Sequence, residues 1–226
     1  MKRVVAMCLL LMAVVLPASF AAEPGFTEDF GIEKSDLASV GRNPFFILEP
    51  GYQMFYKGAD GDLTITVLND TKPVDGVETR VVEERETEGG KLIEVSRNYF
   101  AICKRNNSVF YFGEDVDVYD SSGKVTHGGS WHAGEGGARA GLMMPGLALL
   151  GARFYQEVAP GKAMDRAEII SISDKRKVPA GDFDHVQKSE ETTPLEPGVK
   201  EYKYYAPGVG LIKDGDMELV RYGTVK

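Results

Sequence analysis

Short alternating runs dominate the chain from Tyr52 onward. Leu63-Thr64-Ile65-Thr66-Val67-Leu68 alternates side chains at the period of a half-buried strand. Tyr52 to Tyr56 is aromatic-rich, and Asp75-Gly76 is a hairpin signal that leads into Val77 to Arg85. Glu88-Gly89-Gly90 marks a second turn. Lys91 to Arg105 is the longest strand candidate, Asn106-Asn107 turns the chain again, and Val109 to Tyr119 follows. In that last run Phe110 and Phe112 share one parity, and Val109 and Tyr111 share the other. Further strands are predicted over Arg153 to Val158, Ala167 to Ser173, Phe183 to Thr192, Val199 to Ala206, Gly210 to Lys213 and Met217 to Tyr222. The pattern predicts an all-β, single-domain antiparallel meander that curves into an open sheet or a partly closed barrel. Parallel α/β folds need a crossover helix between strands, and no helical period of that length exists here.

The first residues break this pattern. Lys2 and Arg3 precede an uncharged stretch from Val4 to Ala22. Pro17 ends its apolar run, and Ser19-Phe20-Ala21 supplies small residues at the −3 and −1 positions of a cleavage site. This is the anatomy of a secretory signal peptide, a helix cleaved after Ala21. Cys8 lies too early in the run for a lipoprotein signal. The expected organisation is a signal peptide at 1–21, an N-terminal segment at 22–42 and an all-β domain at 43–226, with no transmembrane anchor after cleavage. Ser35 to Ala38 reads as one short helical turn capped by Ser35. The expected destination is periplasmic or extracellular.

Charge narrows the partners. The 226 residues carry 26 Lys+Arg and 34 Asp+Glu, a formal net charge of −8, and loss of Lys2 and Arg3 makes it −10. An acidic chain lacks the clustered cations that nucleic acid requires. Cleavage also leaves one cysteine, Cys103, so no intrachain disulfide can form and stability rests on the core.

The stretch from His127 to Gly151 is the exception to the strand pattern. It is glycine-rich and ends in the apolar run Leu142 to Leu150. It reads as a strap closing one mouth of the sheet, or as a lid over a cavity. Catalytic candidates cluster here. His127, His132 and Glu135 supply metal-ligand types, and Gly128-Gly129-Ser130-Trp131-His132 nearly spells a serine nucleophile elbow. Both signals are incomplete: no HExxH or CxxC accompanies them, and the elbow's last glycine and following helix are missing. Glu114 to Asp120 is the densest acidic run. It alternates as a half-solvated strand, with Asp115, Asp117 and Tyr119 on one face, and it lacks the EF-hand pattern for calcium. No catalytic residue, metal ligand or cofactor is therefore assigned.

Several stretches resemble an uncharacterised family of secreted bacterial all-β proteins. They are Asn43-Pro44-Phe45-Phe46 with Pro50-Gly51, Tyr111-Phe112-Gly113-Glu114-Asp115, Gly129-Ser130-Trp131 with Ala133-Gly134, Met144-Pro145, Tyr155-Gln156-Glu157, Val178 to Phe183, and Lys203-Tyr204-Tyr205-Ala206-Pro207-Gly208-Val209-Gly210. The resemblance transfers no catalytic residue. The final run is also similar to the end of curved-sheet envelope domains, some of which carry lipid. The functional expectation is a non-enzymatic envelope protein whose concave face holds an apolar small molecule, a lipid or a partner segment of the envelope. Tyr99, Phe110, Phe112, Trp131, Tyr202 and Tyr204 are the expected ligand-binding aromatics. The alternatives are an interaction module with a filled core, and a hydrolase or metal-dependent enzyme centred on His127, Ser130 and His132.

Overall fold

The computed structural model describes residues 25–225. The expected signal helix and its cleavage site lie outside the described residues. A single 3-10 turn at Lys34–Asp36 precedes the strands, and no side chain caps it, so Ser35 does not act as the expected cap. The strands are β1 (Leu37–Ala38), β2 (Gly41–Asn43), β3 (Phe46–Leu48), β4 (Tyr52–Lys57), β5 (Gly61–Val74), β6 (Val77–Glu88), β7 (Lys91–Cys103), β8 (Val109–Tyr119) and β9 (Val125–Thr126). Then come β10 (Trp131–His132), β11 (Arg139–Met144), β12 (Arg153–Tyr155), β13 (Glu157–Val158), β14 (Arg166–Val178), β15 (Gly181–Thr192), β16 (Glu201–Ala206), β17 (Gly210–Asp214) and β18 (Met217–Thr224).

The fold is all-β, and the main sheet is antiparallel and nearly closed like a barrel. Its order is β12-β14-β15-β16-β17-β18-β4-β5-β6-β7-β8-β11-β13. Tight turns fix the register. Asp75 and Gly76 adopt positive φ between the paired Val74 and Val77, and Gly89 and Gly90 do so between Glu88 and Lys91. Two positive-φ residues match the twist of flanking strands, so long hairpins can grow from them. The last strand, β18, pairs with β4, the first long one.

The two ends of the sheet meet through one short piece of chain. β12 pairs with β14, and β13, one residue later, pairs with β11. Residues 153–158 therefore bridge both edges and leave few unpaired edge groups. The strap expected over His127 to Gly151 is divided. Its first part lies on β8 as β10, following β9 on the same strand, and Arg139–Met144 enters the sheet as β11. Gly141 makes this possible, because a Cβ there would lie 2.3 Å from the backbone carbon and oxygen of Gln156.

One mouth is plugged. The hairpin β2–β3 inserts Phe46 against Phe100, with ring centroids 5.0 Å apart, and Phe100 stacks on Tyr111 at 4.7 Å. Asn43, buried in this hairpin, donates to the carbonyls of Asn107 and Pro145, both at 2.9 Å, and accepts from the Phe45 N–H at 2.7 Å. The Gly208 N–H donates to the Pro44 carbonyl at 2.7 Å, and the Tyr52 hydroxyl donates to the Val209 carbonyl at 2.8 Å. The Asn-Pro-Phe-Phe, Met-Pro and Tyr-Tyr-Ala-Pro-Gly-Val-Gly stretches thus meet at a single place.

Candidate functional site

Alternation along the curved strands gives the barrel-like sheet an inner face. Its inner wall near the plug is apolar: Phe45, Phe46, Met54, Leu63, Ile65 and Val67 line a cavity with about 100 Å³ of free space. Val82, Phe100, Met143 and Leu211 complete that wall, and Glu84, Lys203 and Asp214 close its inner end. Beyond them lies a polar cavity of about 230 Å³, lined among others by Asn98, Glu114, Gln156, Glu157, Asp165 and Glu191. Glu84, Phe100, Met143 and Lys203 border both, so the two spaces form one lumen, apolar at one end and acidic at the other.

A bulge builds the acidic wall. Phe100 pairs with Tyr111 and Asn98 with Glu114, so β8 carries an extra residue between them. Gly113 absorbs it at φ 139°, where a Cβ would meet the Trp131 carbonyl oxygen at 2.3 Å. Tyr111 and Glu114 consequently both line the polar cavity, although strict alternation would separate them.

Lys203 is the lumen's ammonium. It lies 3.0 Å from Glu191 and 3.5 Å from Asp214. Burial disfavours its charge, but those two carboxylates outweigh burial and hold its pKa well above the ordinary value. Glu191 is also met by Ser189 Oγ at 3.1 Å, Gln156 Nε2 at 3.2 Å and the Tyr205 hydroxyl at 3.5 Å. Four donors thus converge on one carboxyl group. The other acids have fewer donors. Among the described residues no group hydrogen-bonds or ion-pairs with Glu84, and burial raises its pKa to about 7. Its accessible area makes it only half-buried, because it faces the lumen while protein surrounds it. Burial likewise raises Glu114 to about 7. Glu157 is pushed well above the ordinary carboxyl range by burial and by the neighbouring Asp165 carboxylate. Asp165 is raised chiefly by burial, and Asp214 likewise, against the pull of Lys203.

The six aromatics expected to bind ligand border neither of these cavities; Phe100, Tyr111 and Tyr205 do. Tyr99 donates its hydroxyl to Asp115 at 2.5 Å. Phe110 packs on Phe30 of the N-terminal segment at 6.0 Å, and Phe112 joins Phe30 and Ile32 around an outer cleft. Trp131 packs edge-on against Tyr111 at 5.2 Å. Tyr202 is 38% exposed and lies under Lys188, and Tyr204 is covered by the Arg176 guanidinium at 4.0 Å. Lys203 and Tyr205 have the opposite parity, and that is the lumen parity.

The histidines stand apart. His127 meets Asp117 at 2.8 Å, and His132 meets Asp115 at 2.9 Å. Asp115 also accepts from Lys72 at 2.7 Å. Burial would raise its pKa, but the hydrogen bonds from Lys72 and Tyr99 outweigh that and hold it below the ordinary value. Ser130 Oγ is engaged by the Val116 N–H at 2.9 Å. Among the described residues no group of three or more His, Cys, Asp or Glu side chains is arranged to hold a metal ion, and no helix is long and apolar enough to cross a membrane.

The fold and this site define the class: an antiparallel, barrel-like β-domain with a small two-ended lumen. No family model, curated protein or solved structure matches the chain.

Proposed function

We propose that the protein is a non-enzymatic binding protein of the cell envelope or exterior, and that its lumen takes a small molecule with an apolar end and a cationic, hydrogen-bond-donating end. One observation carries this reading: the unpartnered Glu84 carboxyl sits where the apolar and acidic spaces join. A carboxyl enclosed by protein without a protein donor is costly to ionise, and a ligand amine would reduce that cost. The apolar space, about 100 Å³, accommodates only a short hydrocarbon group while the plug hairpin stays seated. A long-chain lipid would have to displace Phe45 and Phe46. The resemblance to secreted bacterial proteins and the signal-peptide pattern support the location.

The test is thermal unfolding with short straight-chain primary amines and with carboxylates and alcohols of equal length. A ligand at a hundred times its Kd stabilises by about 2.7 kcal/mol. The amines are expected to raise Tm, the carboxylates not, and Glu84→Gln should remove the preference. Equal shifts for amines and carboxylates would refute the ligand class. No shift with any compound would favour the second reading, an interaction module with a filled core, which the small apolar volume also supports.

A further inference from the structure

Residues 153–158 join the two edges of the sheet, and the N-terminal arm, residues 25–33, lies along this seam. Thr27 forms a parallel bridge with Phe154, on the edge of β12 that β14 does not use. Its N–H donates to the Arg153 carbonyl at 3.0 Å, and its carbonyl accepts from the Tyr155 N–H at 2.8 Å. The flanking side chains meet the body at alternate positions. Phe26 packs on Tyr155 and lies under the Arg166 guanidinium at 4.4 Å. Glu28 pairs with Arg139 of β11 at 3.1 Å, and Phe30 packs on Phe110 of β8. Thr27 and Asp29, between them, are exposed. A sheet edge holds an added peptide strand in this way: backbone bonds retain it, and the sites for alternate side chains select it.

The arm is a loose occupant. None of residues 25–35 is buried. Among the described residues, the two Thr27 bonds are the only backbone hydrogen bonds from residues 25–33 to any strand. Gly31, at φ 54°, bends the chain after Phe30. Between arm and body a space of about 250 Å³ stays open, lined by Phe30 and Ile32 on one side and by Asp75, Phe112, Ala138 and Ala140 on the other. A side chain larger than Ile32 would take up that space. We propose that this groove is a recognition site for an extended segment of another protein, and that residues 25–33 are a tethered stand-in which such a segment displaces. The segment carries an aromatic, an acidic and an aromatic residue at alternate positions, with a large apolar side chain two places further on. Tethering keeps the arm seated despite its few contacts, because its effective concentration is on the order of millimolar. A displacing segment must outcompete it, and filling the space beside Ile32 supplies contacts that the arm lacks. The arm of a second copy would leave the same space empty, so the groove fits a foreign segment better. The inference does not depend on what the lumen binds.

Binding of a labelled peptide with the sequence of residues 25–33 to the full chain tests it. Thr27→Pro in the chain removes the N–H that bonds Arg153 and frees the groove. This variant is expected to bind the peptide at least about tenfold more tightly than the wild type. A peptide carrying Ile32→Trp should bind more tightly still. Arg139→Glu in the chain also frees the arm, and it should prefer a peptide carrying Glu28→Lys, reversing the preference shown by Thr27→Pro. If neither variant folds, an excess of the Ile32→Trp peptide should speed amide exchange at Thr27 of the wild-type chain while Tyr155 stays protected. Absence of saturable binding to a folded variant, equal affinity for the wild type and Thr27→Pro, an unreversed charge preference, or unchanged Thr27 exchange under excess peptide would overturn the proposal. A concentration-dependent dimer with exchanged arms would also overturn it, since the occupant would then be a second copy.

Discussion

Glu84→Gln is the sharpest test of the lumen's electrostatics. Glutamine keeps the size and one carbonyl acceptor of the carboxylic acid and removes its titration. The unfolded chain's carboxyl titrates near 4.5, and in the fold burial raises Glu84 to about 7. Between those values the native state keeps a proton that the unfolded chain has released. Its unfolding free energy therefore falls as pH rises through this window, and the full loss is reached above about pH 7. The interval corresponds to about 3 kcal/mol. Glu114 titrates in the same window but is present in both proteins, so its contribution largely cancels from the difference. The variant is expected to gain about 3 kcal/mol at about pH 8.5 and almost nothing at about pH 4.5. For a chain of this size that is a Tm increase of roughly 6–12 °C at the higher pH. Thermal melts and urea titrations at both pH values measure it. A gain of equal size at both, or a loss at the higher pH, would show that Glu84 is not held protonated by the lumen.

Lys203→Met should cost about 3–5 kcal/mol, because it leaves the Glu191 and Asp214 carboxylates uncompensated in the lumen; adding Glu191→Gln should recover part of that in urea unfolding. Asn43→Asp should lower Tm further than Asn43→Ala, since aspartate still accepts from the Phe45 N–H but presents negative oxygen to the Asn107 and Pro145 carbonyls. Gly141→Ala should destabilise by about 1–3 kcal/mol, because its methyl meets the Gln156 backbone and not a yielding side chain; an unchanged melt would refute the tight seam. Asp115→Asn should cost about 1 kcal/mol at about pH 7, discounted because the Asp115 side chain is 40% exposed. Its carboxylate is held below the ordinary pKa, so that contribution exists above about pH 4 and is lost as pH falls through the lowered value, where the two melts should converge.

The strands and their antiparallel order were legible because alternation and turn chemistry are local. Asp75-Gly76 and Gly89-Gly90 announce hairpins within a few residues of themselves, and both form. β11 was not legible. Arg139 to Met144 has no strand period, and its place is set by β8 and by the close approach of Gln156 to Gly141, both distant in sequence. The shape of the His127 to Gly151 stretch follows from that docking. Leu147, Leu149 and Leu150 remain 71%, 58% and 66% exposed on the loop after β11, so of this apolar run only the part up to Met144-Pro145 lies at the plugged mouth.

The inner face was harder still, because alternation gives two faces and does not say which is inside. In Glu201 to Ala206 aromatic bulk points to Tyr202 and Tyr204, yet those rings sit beneath Lys188 and Arg176, while Lys203 and Tyr205 face the lumen. A lysine in a strand reads as outward because burying an ammonium is costly. Here the cost is offset by Glu191 and Asp214, which arrive from β15 and β17, and no local pattern reveals such partners. Glu114 has the same character: Gly113 alters the parity of β8 and draws an acid inward from what reads as a half-solvated strand. Three of the stretches that carry the sequence resemblance meet at the plugged mouth, where Asn43 ties three chain segments together by hydrogen bonds to backbone. A motif held by backbone contacts constrains the fold, whereas the acids of the lumen depend on one another across strands. The recognisable stretches therefore include both the stopper and the lumen residues Glu114, Glu157 and Lys203, and the inward placement of those charged residues is what no single strand reveals.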